Sequence, residues 1–136
     1  MTLPLDIPHG GKVLGMGCDL AEVERIQKAH ERHGQSFLDK VYTAAEQEYC
    51  LQQANPYPSL AARWAAKEAV AKAFTTGVSE HIGLLSIEIT KGPRSEPQVQ
   101  LLENGQKLLE QIGGTEINIS LSHTREIAMA VAVIVE

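Results

Sequence analysis

The spacing of apolar positions changes midway along the chain. Up to Phe74 it reads mainly as helix, and from Leu85 onward mainly as strand. Val13 to Cys18 read as a short strand carrying glycines at 15 and 17. Asp19-Leu-Ala-Glu22 has the acid-x-x-Glu form of a helix start. That helix is expected to run to about His33, with Gly34 ending it. Thr43-Ala-Ala-Glu46 forms a second capping box, opening a helix to about Gln53. Asn55-Pro-Tyr-Pro58 breaks the chain, Ser59 can cap the next helix, and an alanine-rich segment continues to Phe74 with Gly77 past its end. In the second half Leu85, Ile87 and Ile89 alternate with Ser86, Glu88 and Thr90, the period of a half-buried strand. Pro93 and Pro97 bound a turn before a partner strand at Gln98–Leu102. Asn104–Ile112 reads as a short helix ending at Gly113-Gly114. Ile117, Ile119 and Leu121 alternate again, and Ser122-His-Thr-Arg125 turns the chain into Ile127–Val135. The pattern predicts an α+β fold, a largely antiparallel sheet covered by helices. One domain is expected over residues 13–136, after an irregular leader at 1–12 that holds two prolines and a Gly-Gly pair.

The segment Trp64-Ala-Ala-Lys-Glu-Ala-Val-Ala-Lys-Ala-Phe74 consists mostly of strong helix formers without Gly or Pro. At about 100° per residue, Ala62, Ala65, Ala66, Ala69 and Ala73 form a smooth wall that lets another backbone come close. Arg63, Lys67, Val70 and Phe74 make a second side. Glu68 and Lys72 share the flank with Trp64 and Thr75. This helix lacks the broad polar face of a surface helix, so Glu68 and Lys72 are expected to be partly buried, where charges persist when paired or bound.

Composition narrows the function. Apolar residues make up 43% of the 136 positions, which excludes a disordered chain. No apolar run approaches the roughly 18 residues of a membrane span, and the first residues lack the pattern of a secretory signal. A net charge of −5 argues against general nucleic-acid binding, which needs a basic surface. Cys18 and Cys50 show no metal-ligand spacing; two such thiols suit a reducing cytoplasm.

Several side chains are candidates for chemistry. Asp19, behind Gly-x-Gly, is either a helix cap or a metal ligand whose flanking glycines admit a bulky substrate. The motif lacks the third glycine and the βαβ context of a dinucleotide site. Glu68 either forms an (i, i+4) pair with Lys72 or joins Asp19 as a second carboxylate. Two carboxylates are what magnesium commonly takes from a protein, completing its shell with water and substrate phosphates. Lys72 would reach the same phosphates, which makes phosphoryl-group chemistry the leading class. His123, between Ser122 and Thr124 in a turn, is either solvated or able to bind phosphate and move a proton. A hydrolase triad is disfavoured because Ser122 and His123, adjacent at a strand end, point to opposite faces. Arg25, Lys28 and Arg32 form a basic stripe on the first helix, either a solvated face with a Glu24–Lys28 pair or a dock for an acidic partner.

Gly15-Met-Gly-Cys-Asp-Leu20 with Arg25-Ile26, Phe37 with Thr43-x-x-Glu46, Arg63-Trp-Ala-Ala-Lys-Glu-Ala-Val-Ala-Lys-Ala73 and Ser120-Leu-Ser-His-Thr124 occur in one order. Together they resemble the small bacterial holo-acyl-carrier-protein synthases of the phosphopantetheinyl transferase superfamily, over about residues 13–135. The resemblance implies magnesium-dependent transfer of 4′-phosphopantetheine from coenzyme A to a serine of a fatty-acid acyl carrier protein, releasing adenosine 3′,5′-bisphosphate. It implies that Asp19 and Glu68 hold the magnesium, that Lys72, Arg63 and His123 lie near phosphates, and that Gly77 belongs to the coenzyme turn. Glu68 or a metal-bound water is then the first choice for the serine proton and His123 the second. The first helix, with Arg25 and Arg32, becomes the carrier dock. A homotrimer with sites between subunits is implied, and the exposed side of the alanine-rich helix becomes a candidate interface. A catalytically silent module that holds coenzyme A or the carrier is the alternative; the intact Asp19, Glu68 and Lys72 argue against it. Thr75-Thr76-Gly77 departs from the family's usual Gly-Thr-Gly, and Lys91 to Pro97 is an altered form of its usual turn.

Overall fold

In the computed structural model, residues 11–136 are described; the leader expected at 1–12 lies outside them apart from Gly11 and Lys12. Strand β1 spans Val13–Glu22, followed by helices α1 (Val23–His33), α2 (Gln35–Val41), α3 (Ala44–Leu51) and α4 (Tyr57–Ala73). A 3-10 turn at Leu84–Ser86 leads into strands β2 (Ile87–Lys91) and β3 (Pro97–Leu101). Helix α5 (Asn104–Gln111) and strands β4 (Glu116–His123) and β5 (Ile127–Val135) complete the chain. The strands form a three-stranded sheet in the order β1-β5-β4 and a separate β2-β3 hairpin, both antiparallel. Among the described residues no helix is long and apolar enough to cross a membrane.

Asp19 is not a helix cap. Strand β1 continues four residues beyond Cys18 because it pairs with β5 as far as Glu22 opposite Ile127, and α1 starts only at Val23 without a side-chain cap. The strand period therefore governs Asp19 and sets it on the same face as Gly15, Gly17 and Ala21. That face meets α4. A Cβ on Gly15 would collide with the Ala73 carbonyl oxygen, and one on Gly17 with that of Ala69. The glycines thus serve contact between helix and strand, not access for a substrate. Ala65, Ala66, Ala69 and Ala73 of α4 are buried, as are Ala128, Ala130 and Ala132 of β5.

The second side of α4 is buried as well: Arg63, Lys67, Val70 and Phe74 all lie inside. Beyond its first turn only a narrow strip through Trp64, Glu68 and Lys72 reaches solvent, so the helix offers little surface for an interface. The larger exposed apolar area is on the sheet, where Met16 and Leu20 are 66% and 64% accessible beside Cys18, Ile127 and Met129.

Local chemistry explains the remaining boundaries. The capping box at Thr43 is present, with Glu46 N–H donating to Thr43 Oγ1 and Thr43 N–H to Glu46 Oε1. Ser59 does not cap α4. That helix begins at Tyr57, whose N–H donates to Asn55 Oδ1, and Pro58 fits the first turn because its missing N–H would have no helical acceptor. Ser59 Oγ instead accepts from Arg63. Helix α2, not expected from the sequence, follows directly from the left-handed Gly34 and buries Leu38 and Val41.

Candidate active site

The site forms where the middle of β1 passes under the C-terminal half of α4. Lys72 Nζ donates to Asp19 Oδ1 at 2.8 Å and to the Cys18 carbonyl at 3.1 Å. Glu68 stands one helical turn before Lys72 on the same strip. Burial and then the Asp19 charge hold the Glu68 carboxyl above its ordinary range, while Lys72 opposes them. The hydrogen bond to Asp19 pushes the Lys72 ammonium up. Two carboxylates from distant segments therefore share one neighbourhood and repel each other across a single lysine.

This donor set fits a divalent cation. The repulsion between the acids is what such an ion relieves, and hard carboxylate oxygens suit magnesium. Among the described residues no group of three or more His, Cys, Asp and Glu gathers at one point. Asp19 and Glu68 would thus leave most of an octahedral shell to water and substrate oxygens, the usual arrangement for this ion.

The other expected site residues lie apart from this cluster. Arg63 precedes Glu68 by five positions, about 140° round the helix. It is buried, its guanidinium rests 4.4 Å from the Tyr49 ring, and Nη1 donates to Ser59 Oγ. Among the described residues its Nε has no hydrogen-bond partner, and no carboxylate pairs with it. Lys91 approaches the same ring at 4.7 Å. His123 is exposed at the end of β4, two strands from β1, with Nδ1 3.3 Å from the Thr124 carbonyl oxygen. No hydrogen bond or ion pair joins it to Asp19, Glu68 or Lys72 in the same subunit.

Gly77 takes φ 63°, and its N–H donates to the Ala71 carbonyl, tying the turn back to α4. Thr75 has φ 69°, a left-handed conformation that a β-branched residue adopts only with strain. Thr75→Gly is expected to stabilise the fold by about 1 kcal/mol, a rise of roughly 3 °C on thermal melting. A lowered melting temperature would contradict this assignment of strain.

Arg25, Lys28 and Arg32 are exposed on α1. Glu24 pairs with Lys28 at 3.1 Å. Arg25 borders a cavity of about 420 Å³ lined by Leu20, Ile26, Phe37, Trp64 and Ile127. Phe37 stacks on Trp64 at 6.3 Å, and Trp64 stands one turn before Glu68. The cavity runs from the basic helix to Trp64, a juxtaposition invisible in the sequence because Phe37 lies on the unexpected helix α2.

Residues 15–132 match the 4′-phosphopantetheinyl transferase superfamily, and the chain belongs to it. Within that superfamily it falls with the holo-[acyl-carrier-protein] synthases. It is 48% identical to the Chlamydia felis holo-[acyl-carrier-protein] synthase over 118 residues, covering 87% of this chain and 93% of the relative. It is 44% identical to that of Ruminiclostridium cellulolyticum over 120 residues, covering 88% and 90%. The crystal structure of the Neisseria meningitidis enzyme superimposes with a TM-score of 0.86 at 29% identity, covering 92% of this chain and 100% of that one. The Helicobacter pylori enzyme, solved in complex with coenzyme A, gives 0.78 at 28% identity, covering 88% and 98%.

Proposed function

We propose that Asp19, Glu68 and Lys72 form the reaction centre of a holo-[acyl-carrier-protein] synthase. The activity is that of the family: phosphopantetheine passes from coenzyme A to an acyl carrier protein, here read as the carrier of fatty-acid synthesis. The observation that carries the site assignment is the Asp19–Lys72 bond beside a Glu68 carboxyl raised in part by Asp19.

Asp19 and Glu68 would hold magnesium, which when bound polarises diphosphate oxygens and offsets their charge. The carrier serine oxygen attacks the β-phosphorus of coenzyme A, a new P–O bond forms, and the anhydride P–O bond breaks to release adenosine 3′,5′-bisphosphate. Such a transfer depends on in-line placement and charge neutralisation more than on covalent help. Lys72 meets the charge that develops on the departing phosphate. Glu68, or a water on the cation that it would help hold, is the first choice to accept the serine proton. His123 stands second.

Arg63 supports a further anion contact, because among the described residues no carboxylate pairs with its buried guanidinium. Since it points away from Glu68, one coenzyme reaches both most simply between subunits, with Arg63 and His123 supplied by the neighbour. The apolar sheet face at Met16, Leu20 and Met129 gives copies of the chain a surface to share, which favours the homotrimer. Unpaired Cys18 and Cys50 accord with a cytosolic setting.

Incubation with coenzyme A, magnesium and an apo carrier, followed by weighing the carrier, tests the activity. No gain in mass on any cognate carrier would favour the silent binding module. Reversing Arg25 and Arg32 to Glu should raise the carrier KM by roughly 10- to 100-fold through lost charge complementarity. The coenzyme A KM should stay near its parent value; if that constant alone suffers, α1 is not the dock.

A further inference from the structure

Lys67 directly precedes Glu68, yet the chemistry above does not use it. Its side chain is fully buried. The ammonium has three N–H groups, and each has an acceptor: the Val41 carbonyl at 2.7 Å, the Leu84 carbonyl at 3.0 Å and the Glu46 carboxylate. Glu46 is buried equally well, its Oε1 accepting from Thr43 N–H and its Oε2 from Ile89 N–H at 2.9 Å. Thr43 Oγ1 in turn donates to Glu88 at 2.6 Å. One ion pair thus joins α4 to the end of α2, the start of α3, the 3-10 turn and β2.

The sheet side of α4 shows why such a join is needed. Alanine methyls packed on Gly15 and Gly17 bring helix and strand close, but a smooth surface has few protrusions to fix rotation about the helix axis. A side-chain end lies about 5–6 Å from that axis, so a turn of about 20° displaces it by about 2 Å. An error of about 1 Å at a reaction centre can cost about 10²-fold in rate. Stability alone does not call for the pair, because well-packed apolar residues of similar volume often replace a buried ion pair without loss.

We propose that Glu46 and Lys67 are positioning residues for the transfer reaction, fixing the rotation of α4 so that Glu68 meets Asp19. The inference rests on the assignment of Glu68 to the metal site.

The test is the double variant Glu46→Leu/Lys67→Met. Thermal melting, kcat, the carrier KM and calorimetric titration with magnesium in the presence of coenzyme A are measured. The expected result is a melting temperature within a few degrees of the parent and an unchanged carrier KM. The turnover should fall about tenfold or more, with a matching loss of magnesium affinity. Parental turnover and magnesium affinity in a folded double variant would overturn the proposal. Should the double variant not fold, Glu46→Gln, which keeps the shape and one acceptor oxygen, is read by the same criteria. Glu68→Gln is measured alongside. Full turnover there would remove the metal-site assignment itself, whereas an inactive Glu68→Gln beside a parental double variant would remove only the positioning role.

Discussion

Glu68→Gln should cut turnover by roughly 10²- to 10³-fold while leaving the metal-free protein at neutral pH as stable as the parent or more so. The loss follows from removing one of two carboxylates that face the cation. The stability follows from the same carboxylate in the absence of metal. Burial and the Asp19 charge raise its folded-state pKa above the ordinary 4.5. For a group raised on folding, the stabilising contribution is complete below the unfolded value and disappears as pH climbs through the folded one. Above that window the parent carries a desolvated charge beside Asp19, and the amide does not. The stability difference between variant and parent should therefore be near zero at about pH 4 and grow in favour of the variant toward pH 7. Urea unfolding in chelator across this range measures it. A variant that turns over normally, or is less stable than the parent at neutral pH, would dissociate Glu68 from Asp19.

Lys67→Met alone should cost about 3–5 kcal/mol, because Glu46 then stays buried without its cation. The Thr43 and Ile89 amides that remain supply hydrogen bonds but no compensating charge. Denaturant unfolding should show a much earlier midpoint, while the double variant recovers most of the loss. A single variant that loses less than about 1 kcal/mol would mean that water reaches Glu46 once the lysine is gone. The contrast between single and double substitutions separates the energy of an orphaned charge from the worth of the pair.

Much of this architecture was legible in local patterns. The alternation in β2 and β4 and the absence of breakers from Trp64 to Phe74 of α4 are local features of the chain, and the Thr43 capping box is a backbone motif with a fixed spacing. Asp19-Leu-Ala-Glu22 misled because a four-residue cap signal competed with nine paired positions along β5, a pairing that no local window reveals. Helix α2 was missed because its seven residues span barely two turns, too few to establish a period. At the site, the grouping of Glu68 with Lys72 came from helix geometry, and their link to Asp19 came from carboxylate chemistry and family likeness. Lys67 was legible only as one member of a second side of the helix with Arg63, Val70 and Phe74; its partner Glu46 sits on another helix, brought there by tertiary packing. Arg63 turns toward Tyr49 for the same reason, since a neighbouring element rather than its own helix supplies the ring.

The seam where the Ala69 and Ala73 carbonyls press on Gly17 and Gly15 has no slack for even one methyl group. Helix and strand therefore stay in close contact there and, with the rotation of α4 held by the Glu46–Lys67 pair, travel as a single block that carries both acids. Whatever adjustment a bulky ligand demands falls to segments on either side of that block, the Thr75–Gly83 connection and the first helix, so the enzyme accommodates its substrates at the margins while its electrostatic centre keeps one fixed shape.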